Sequence, residues 1–237
     1  PPGGDRDAAL ARRERVACVR AACAHLGTLA GRVVLAQSLP APDEAWALEA
    51  FAEAGFRSVG TLIYLRRPLA GAGAEPASWP AGTRLTTFAT LSARLGRERA
   101  DAALVDLLDR TYIDTLDCPE LCGLRTTADI LSSHRASGSW NPDLWWMLEV
   151  NGALEGCALF NPCPERDAFE LVYMGLAPAA RGKGLGAALL SAGLARLPLA
   201  GRDVECAVDE RNIAARRLYE RAGFRGQTRR VALVQPV

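Results

Sequence analysis

Lysine is nearly absent from this chain of 237 residues: among 28 basic residues, Lys183 is the single lysine. Histidine and methionine number two each, and His25 and His134 have no partner spacing that would build a metal site. No apolar run reaches the roughly 18 residues of a membrane span, and no charged-then-apolar leader opens the chain. A large charge of either sign is missing too. With 28 basic and 27 acidic residues the net charge is +1, which gives no case for nucleic acid or an acidic membrane surface as a partner. The cysteines are odd in number, at seven. Cys118 and Cys122 lack a matching second pair at zinc spacing, so reduced thiols in a cytoplasmic protein are expected. The chain opens Pro1-Pro2 without Met, as a fragment or processed product would. What remains is ordinary globular composition, 49% hydrophobic and 23% charged, with room for one or two cores.

The informative segment runs from Glu170 to Leu197: an apolar strand, a basic glycine-rich loop, then an apolar helix. Glycines between a strand and a helix start offer several backbone N–H groups to an anion, with the helix dipole behind them. Arg181 and Lys183 add cations to that loop. Charge-assisted hydrogen bonds of this kind contribute roughly 1.5–3 kcal/mol each. The segment predicts a phosphate or pyrophosphate site.

Three phosphate loops compete. A Walker loop needs Ser or Thr after its lysine, and Lys183 is followed by Gly184. A dinucleotide fingerprint is approximated by Gly182, Gly184 and Ala187, with Asp203 at the spacing of a ribose-binding acid. Against it, Pro178–Arg181 separate strand from glycine, and too few elements follow to finish a doubly wound sheet. The third pattern is Q/R-x-x-G-x-G/A, matched by Arg181-Gly-Lys-Gly-Leu-Gly186 after Leu176-Ala-Pro178. Downstream, Asn212-Ile-Ala-Ala-Arg-Arg-Leu-Tyr-Glu-Arg-Ala-Gly-Phe224 follows N-x-x-A-x-x-L-Y-E-x-x-G-F. Both blocks, in this order with one strand between them (Asp203–Val208), resemble the GNAT N-acyltransferase superfamily.

The chain also repeats itself. Leu48–Arg57 aligns with Arg216–Arg225, and Leu29–Val34 with Leu199–Val204. In both copies a helix ends at Gly-Phe, the pattern of a left-handed glycine followed by an apolar residue, and a strand follows (Thr61–Leu65 and Arg230–Val234). Residues 1–67 are therefore expected to be a partial, degenerate GNAT-like half domain: helix 6–26, strand 32–37, helix 43–54, strand 58–66. Its counterpart of the phosphate loop has no glycines, and Phe51 stands where Tyr219 stands in the second copy. Residues 68–82, rich in Ala, Gly and Pro, form a linker. Residues 83–237 form the complete domain. The half-sheet could dock on the second copy or pair between chains in a homodimer.

In the complete copy the expected order is strand Thr83–Ala89, helices Ala100–Tyr112 and Thr127–Arg135, and strands Leu144–Val150 and Ala153–Phe160 about an Asn151-Gly152 hairpin turn. A loop (Asn161–Asp167) and the phosphate-loop unit follow. The expected class is α+β, a mixed, mostly antiparallel sheet flanked by helices, as in the GNAT fold.

The resemblance implies acetyl-CoA as co-substrate and a small-molecule or peptide amine as acceptor. Cofactor contacts would come from Met174, Gly175 and Leu176 on the strand, with Gly175 consistent with a β-bulge. Arg181, Gly182, Lys183, Gly184, Leu185, Gly186 and Ala187 would cradle the pyrophosphate, and Asn212 and Tyr219 would line the pantetheine arm. Glu170, on an apolar strand, would be the general base, and Tyr219 the acid that protonates the departing thiolate. Asn212 also has the place of a helix N-cap. Asp114, Asp117 and Glu120, followed by three tryptophans, could receive a cationic amine or could be a solvated loop over a core. Cys157 is expected in the core rather than as an acyl carrier. The rival function is a catalytically inactive GNAT-like module that binds CoA or serves in assembly.

Overall fold

A computed structural model describes residues 4–29, 35–69, 79–198 and 203–237. The aligned segments Leu29–Val34 and Leu199–Val204 and most of the expected linker lie largely outside those residues.

A long helix, α1 (Gly4–Thr28), precedes a short strand β1 (Leu35–Ser38), helix α2 (Ala45–Ala54) and strand β2 (Arg57–Pro68). Strand β3 (Thr83–Thr87) then leads into α3 (Phe88–Leu95), α4 (Arg97–Tyr112) and α5 (Thr127–Ala136). The hairpin β4 (Trp145–Val150) and β5 (Ala153–Cys163) is followed by β6 (Ala168–Leu176), α6 (Leu185–Ala195), β7 (Asp203–Asp209), α7 (Ile213–Arg221) and β8 (Arg225–Pro236). The class is as expected: a mixed sheet, antiparallel except where β6 meets β7, with helices on both faces.

Several boundaries differ from the sequence expectation, two of them for a visible reason. The first strand of the second half stops at Thr87, because the Thr87 side chain accepts the Thr90 amide (3.1 Å) and caps a helix, α3, that the β-favouring run Thr86-Thr87-Phe88 conceals. The expected loop at Asn161 begins later, since β5 continues to Cys163. Asn161 is fully buried, accepts Trp145 Nε1 (2.8 Å), and donates to the carbonyls of His134 and Ser137. A buried amide with three partners is satisfied in a strand as well as in a turn.

The sheet order is β1-β8-β2-β7-β6-β5-β4-β3. β2 therefore lies between the last two strands of the chain, pairing antiparallel with both β7 and β8. Both of these partners are within the chain. The two halves also match in detail. Gly55 and Gly223 are both left-handed (φ 108° and 89°), and Phe56 N–H reaches Phe51 O as Phe224 N–H reaches Tyr219 O, each at 3.0 Å. The β2–β8 pair has one bulge at Val59 and one at Gln227. The displacement along the chain that carries Leu48–Arg57 onto Arg216–Arg225 also carries Val59 onto Gln227. The pair is thus symmetric about a local two-fold.

Two cores sandwich the sheet. Phe160, Phe169, Leu189, Leu190, Val204 and Phe224 pack under α6 and α7. On the other face Phe88, Leu104, Leu107, Leu131, Trp145 and Met147 pack under α3, α4 and α5. Trp140 and Trp145 belong to that second core, with the Arg97 and Arg135 guanidiniums over the Trp140 ring. A third, smaller cluster joins α1 and α2 to β8 through Val16, Ala50, Phe56 and Leu233.

At the end of β7, Asp209 is fully buried and accepts the Cys118 amide (3.0 Å), the Arg211 amide (2.8 Å) and the Arg211 guanidinium (2.6 Å). These donors hold its pKa below the usual carboxylate range against the cost of burial. Arg211 also donates to Val59 O of β2 (2.9 Å) and to both Glu120 oxygens (2.6 and 2.8 Å). One arginine thereby joins β7, β2 and the loop after α4. Replacing Arg211 with Met would leave a buried carboxylate short of its cation, and urea denaturation should register a loss of about 3 kcal/mol. A loss below half a kcal/mol would remove the hub role.

Candidate active site

Parallel pairing of β6 with β7 lasts only from Ala168↔Asp203 to Glu170↔Glu205. Beyond Glu170 the two strands diverge. β6 continues to Leu176 along β5, while β7 stays on β2 from Pro68↔Asp203 to Leu62↔Asp209. The gap is a cleft of about 570 Å³, walled by Leu171–Leu176 on one side and by Ala207, Val208, Asn212, Leu218 and Tyr219 on the other. Its inner edges are strand backbone with no neighbouring strand among the described residues, available to an extended ligand. The β6 bulge falls at Val172, not at Gly175: Leu159 pairs with Tyr173 and Phe160 with Leu171. Gly175 is small for another reason, because a Cβ there would lie 2.6 Å from Tyr173 Oη and 2.9 Å from Thr111.

The glycine-rich loop closes the wide end. Gly182 (φ 73°) and Gly184 (φ 75°) are left-handed, and a Cβ on either would meet nothing within 4 Å. Glycine is there for backbone conformation, and the space above it is open. Among the described residues the amides of Gly182 through Ala187 donate to no protein acceptor, and the first intrahelical bond is Ala188 N–H to Gly184 O. The Arg181 amide departs from expectation, since it donates to Pro178 O (3.2 Å). The Arg181 guanidinium is also engaged, with Nε on Leu176 O (3.0 Å) and Nη2 on Thr111 O (2.9 Å). It ties the loop to the ends of β6 and α4.

Of the residues singled out from sequence, Met174, Gly175, Leu176, Arg181, Gly182, Gly184, Gly186, Ala187, Asn212 and Tyr219 line this one cleft. Leu185 is buried beneath the loop, and the Lys183 side chain is exposed outside the lining. Asn212 caps α7, its Oδ1 accepting the Ala215 amide (3.1 Å). Tyr219 is buried on Phe224 (ring centroids 5.6 Å), and burial keeps its hydroxyl pKa well above the usual 10. It stays protonated at neutral pH, and among the described residues the hydroxyl has no hydrogen-bond partner.

Glu170 lies outside the lining, at the apex where the strands part. Its carboxylate accepts Arg166 Nη2 (2.7 Å) and Ser137 Oγ (3.0 Å). Of the three acidic loop residues, Asp114 and Asp117 line the cleft and Glu120 is taken by Arg211. Asp117 Oδ1 accepts the Asp209 amide (2.7 Å), while its concave, partly desolvated surroundings raise its pKa. Cys157 is fully buried with its thiol pushed up to about 12 by burial, so no thiolate is available there.

Sequence reading missed Thr111 and Tyr173. Their hydroxyls are 2.8 Å apart beside Gly175, and Tyr173 stacks on His134 (5.4 Å, 25°). The partners come from α4, α5 and β6, and no local pattern joins them. His134 Nε2 is buried without a hydrogen-bond partner among the described residues. Burial, with the Arg125 charge in addition and Glu170 opposing, lowers the His134 pKa to about 4. A depressed histidine pKa means that the unfolded chain takes up protons first, so stability is lost as pH falls from about 6.5 toward 4. Melting temperature should drop over that window in the wild type and drop less in His134→Phe; equal slopes would contradict the assignment.

Comparison with known proteins agrees with this geometry. Residues 109–224 match the family described as Acetyltransferase (GNAT) family. A mycothiol acetyltransferase of Beutenbergia cavernae is 35% identical over 182 residues, covering 72% of this chain and 57% of that protein. One from Salinispora arenicola is 36% identical over 178 residues, covering 72% and 53%. The chain spans about half the length of the curated relatives it matches. Among solved structures, a GCN5-related N-acetyltransferase from Sphaerobacter thermophilus superposes with a TM-score of 0.58 at 21% identity, over 85% of this chain and 59% of that one. A tandem GNAT protein from the clavulanic acid biosynthesis pathway gives 0.54 at 18% identity, over 85% and 63%. Splayed strands, free loop amides and matched family residues coincide in one place: the chain carries a domain of the GNAT acetyltransferase family.

Proposed function

We propose that the chain is an acyl-CoA-dependent N-acyltransferase that moves acetyl from acetyl-CoA to a primary amine by direct attack. The observation that carries this reading is the row of unengaged amides from Gly182 to Ala187, at the start of α6 and at the mouth of the β6/β7 cleft. A diphosphate held there would leave the pantetheine arm to run along Met174–Leu176 toward the apex. The amine nitrogen attacks the thioester carbon, a C–N bond forms, and the C–S bond breaks. Backbone N–H of β6 would stabilise the oxyanion. Tyr219, protonated and facing the cleft, would deliver the proton to the thiolate. Glu170, next to the deepest lining residue, would take the ammonium proton through water.

Asp117 supports a second assignment of the base, because it lines the cleft and Glu170 does not. Its position at the wide end fits better with recognition of the incoming ammonium, together with Asp114. The relatives' name makes mycothiol-related amines the first acceptors to screen.

The matched Gly-Phe helix ends and paired bulges support a duplicated origin, with residues 1–67 as the partial degenerate copy, 68–82 as the connection and 83–237 as the working domain. The first copy has no glycine loop of its own, which fits a structural role. Unpaired thiols fit a cytoplasmic setting.

Acetyl-CoA should raise the melting temperature. Gly186→Glu, which puts a carboxylate among the amides where a Cβ has only ordinary contacts (3.5 Å or more), should abolish that shift. No shift in the wild type would end the proposal. With an acceptor in hand, Glu170→Gln and Tyr219→Phe should each lower kcat by about a hundredfold or more, while Asp117→Asn should raise KM for the amine. The reverse split between Glu170 and Asp117 would exchange their roles.

A further inference from the structure

Part of the sheet beside the cleft carries side chains that no core claims. Along β7, Val204, Cys206 and Val208 point into the core under α6 and α7, so Glu205 and Ala207 point to the opposite face. Cross-strand neighbours share a face, which puts Arg66 beside Glu205, Tyr64 beside Ala207 and Thr228, and Leu62 beside Arg230 on that side. Leu62 packs with Val59, Ala232 and Leu121. Tyr64, Ala207, Thr228 and Arg230 belong to no hydrophobic cluster; Ala207 and Thr228 are exposed, Tyr64 and Arg230 half-buried. Ala207 also lines the cleft, so the open face begins at the cleft wall.

The charges on either side of this patch are paired, and the patch itself is not. At one end Glu205 meets Arg66 (3.8 Å) and Arg166 (3.5 Å), and Arg66 also takes Asp203. At the other, Arg211 holds Asp209 and Glu120. Between them, the Arg230 guanidinium and the hydroxyls of Tyr64 and Thr228 have no hydrogen-bond or ion-pair partner among the described residues. Tyr64 and Arg230 are diagonal neighbours, a separation of roughly 7–8 Å that long side chains span. Burial and the Glu170 charge raise the Tyr64 pKa, with Arg230 and Arg166 opposing, so the ring stands between the apex of the cleft and β8.

Three donors without acceptors on one open face suit a ligand that supplies oxygens, and the Tyr64 ring offers its body an apolar surface. From Ala207 to β8 is two strand spacings, roughly 10 Å. Resting on the acetyl-transfer reading above, we propose that this face of β7, β2 and β8 seats the far end of the acyl acceptor, with Tyr64 under its body and Arg230 and Thr228 binding its oxygens. The nitrogen lies in the cleft by Asp117, and the rest of the molecule crosses Ala207. The acceptor is then a primary amine with a carboxylate or a cluster of hydroxyls about 10 Å from its nitrogen, not a plain alkylamine. Because Tyr64 belongs to the first half of the chain, that half takes part in choosing the substrate.

Steady-state acetylation of three amines tests this: triglycine, whose carboxylate lies about 10 Å from its amine, 2-aminoethyl glucoside, which offers hydroxyls instead, and hexylamine, which has neither. Wild type should show a KM for triglycine or for the glucoside roughly tenfold or more below that for hexylamine. Which of the two is favoured tells carboxylate from hydroxyls. Arg230→Met should raise the KM of the favoured amine roughly ten- to a hundredfold, and Tyr64→Phe roughly three- to tenfold, as for a charged and a neutral hydrogen bond. The KM for acetyl-CoA should not move, and Arg230→Lys should recover part of the loss, which a folding defect would not allow. Equal KM values for the three amines in the wild type would overturn the proposal, as would a favoured amine whose KM is the same in both variants. If acetyl-CoA raises the melting temperature but neither oxygen-bearing amine is acetylated, the proposal falls and the coenzyme site stands. If acetyl-CoA gives no stabilisation, the acetyl-transfer reading falls and takes this one with it.

Discussion

Everything at the site depends on β7 being held away from β6. Two parallel strands that begin paired would ordinarily stay paired, since each added rung satisfies two backbone groups. Here β7 leaves β6 after Glu205 while its other edge stays on β2 from Asp203 to Asp209. The Asp209–Arg211 cluster then fixes the diverging end to Val59 and to the loop after α4. On the opposite side, Arg181 and the Thr111–Tyr173 contact hold β6 against α4. The cleft is open because both walls are fastened outward. A strand edge that is desolvated and unpaired in this way costs free energy, which a strand-like ligand would return.

This arrangement gives the first half of the chain a physical task although it carries no glycine loop. β2 is inserted between β7 and β8, so removing it would leave β8 without its central partner and β7 without its outer one. The small cluster of α1 and α2 on β8 seals one face of that insertion. Two halves linked by exchanged strands cannot separate without breaking the sheet, and the chain folds as one unit at this seam.

Sequence conveyed the parts of this that are local. Gly182 and Gly184 are legible because a left-handed residue between strand and helix restricts the choice of side chain. Asn212 as a cap, Asn151-Gly152 as a turn and the Gly-Phe helix ends are legible for the same reason: each is settled within about five residues. The interleaved strand order is not, since β2 and β8 would have shown the same alternation beside any neighbour. Helix α3 was hidden because strand-favouring residues at Thr86–Phe88 also contain the cap that starts it. The Arg181 guanidinium shows another limit. Its charge suggested an anion ligand, yet its partners are two carbonyls, one of them supplied by Thr111, far away in the chain.

The distribution of charge along the cleft follows from the same geometry. Its glycine-rich end has free amides and the helix dipole, and in the adjoining groove between α6 and α7 Arg67, Arg217 and Arg221 have no acceptor among the described residues. Asp114 and Asp117, on the loop after α4, line the same cleft. Glu170 differs from these two acids: Arg166 and Ser137 hold its carboxylate at the apex, one residue below Leu171 and outside the lining. The cleft therefore meets carboxylates only on the side of the loop after α4, while the strand walls that run from the apex to the glycine-rich loop are left to backbone and apolar side chains.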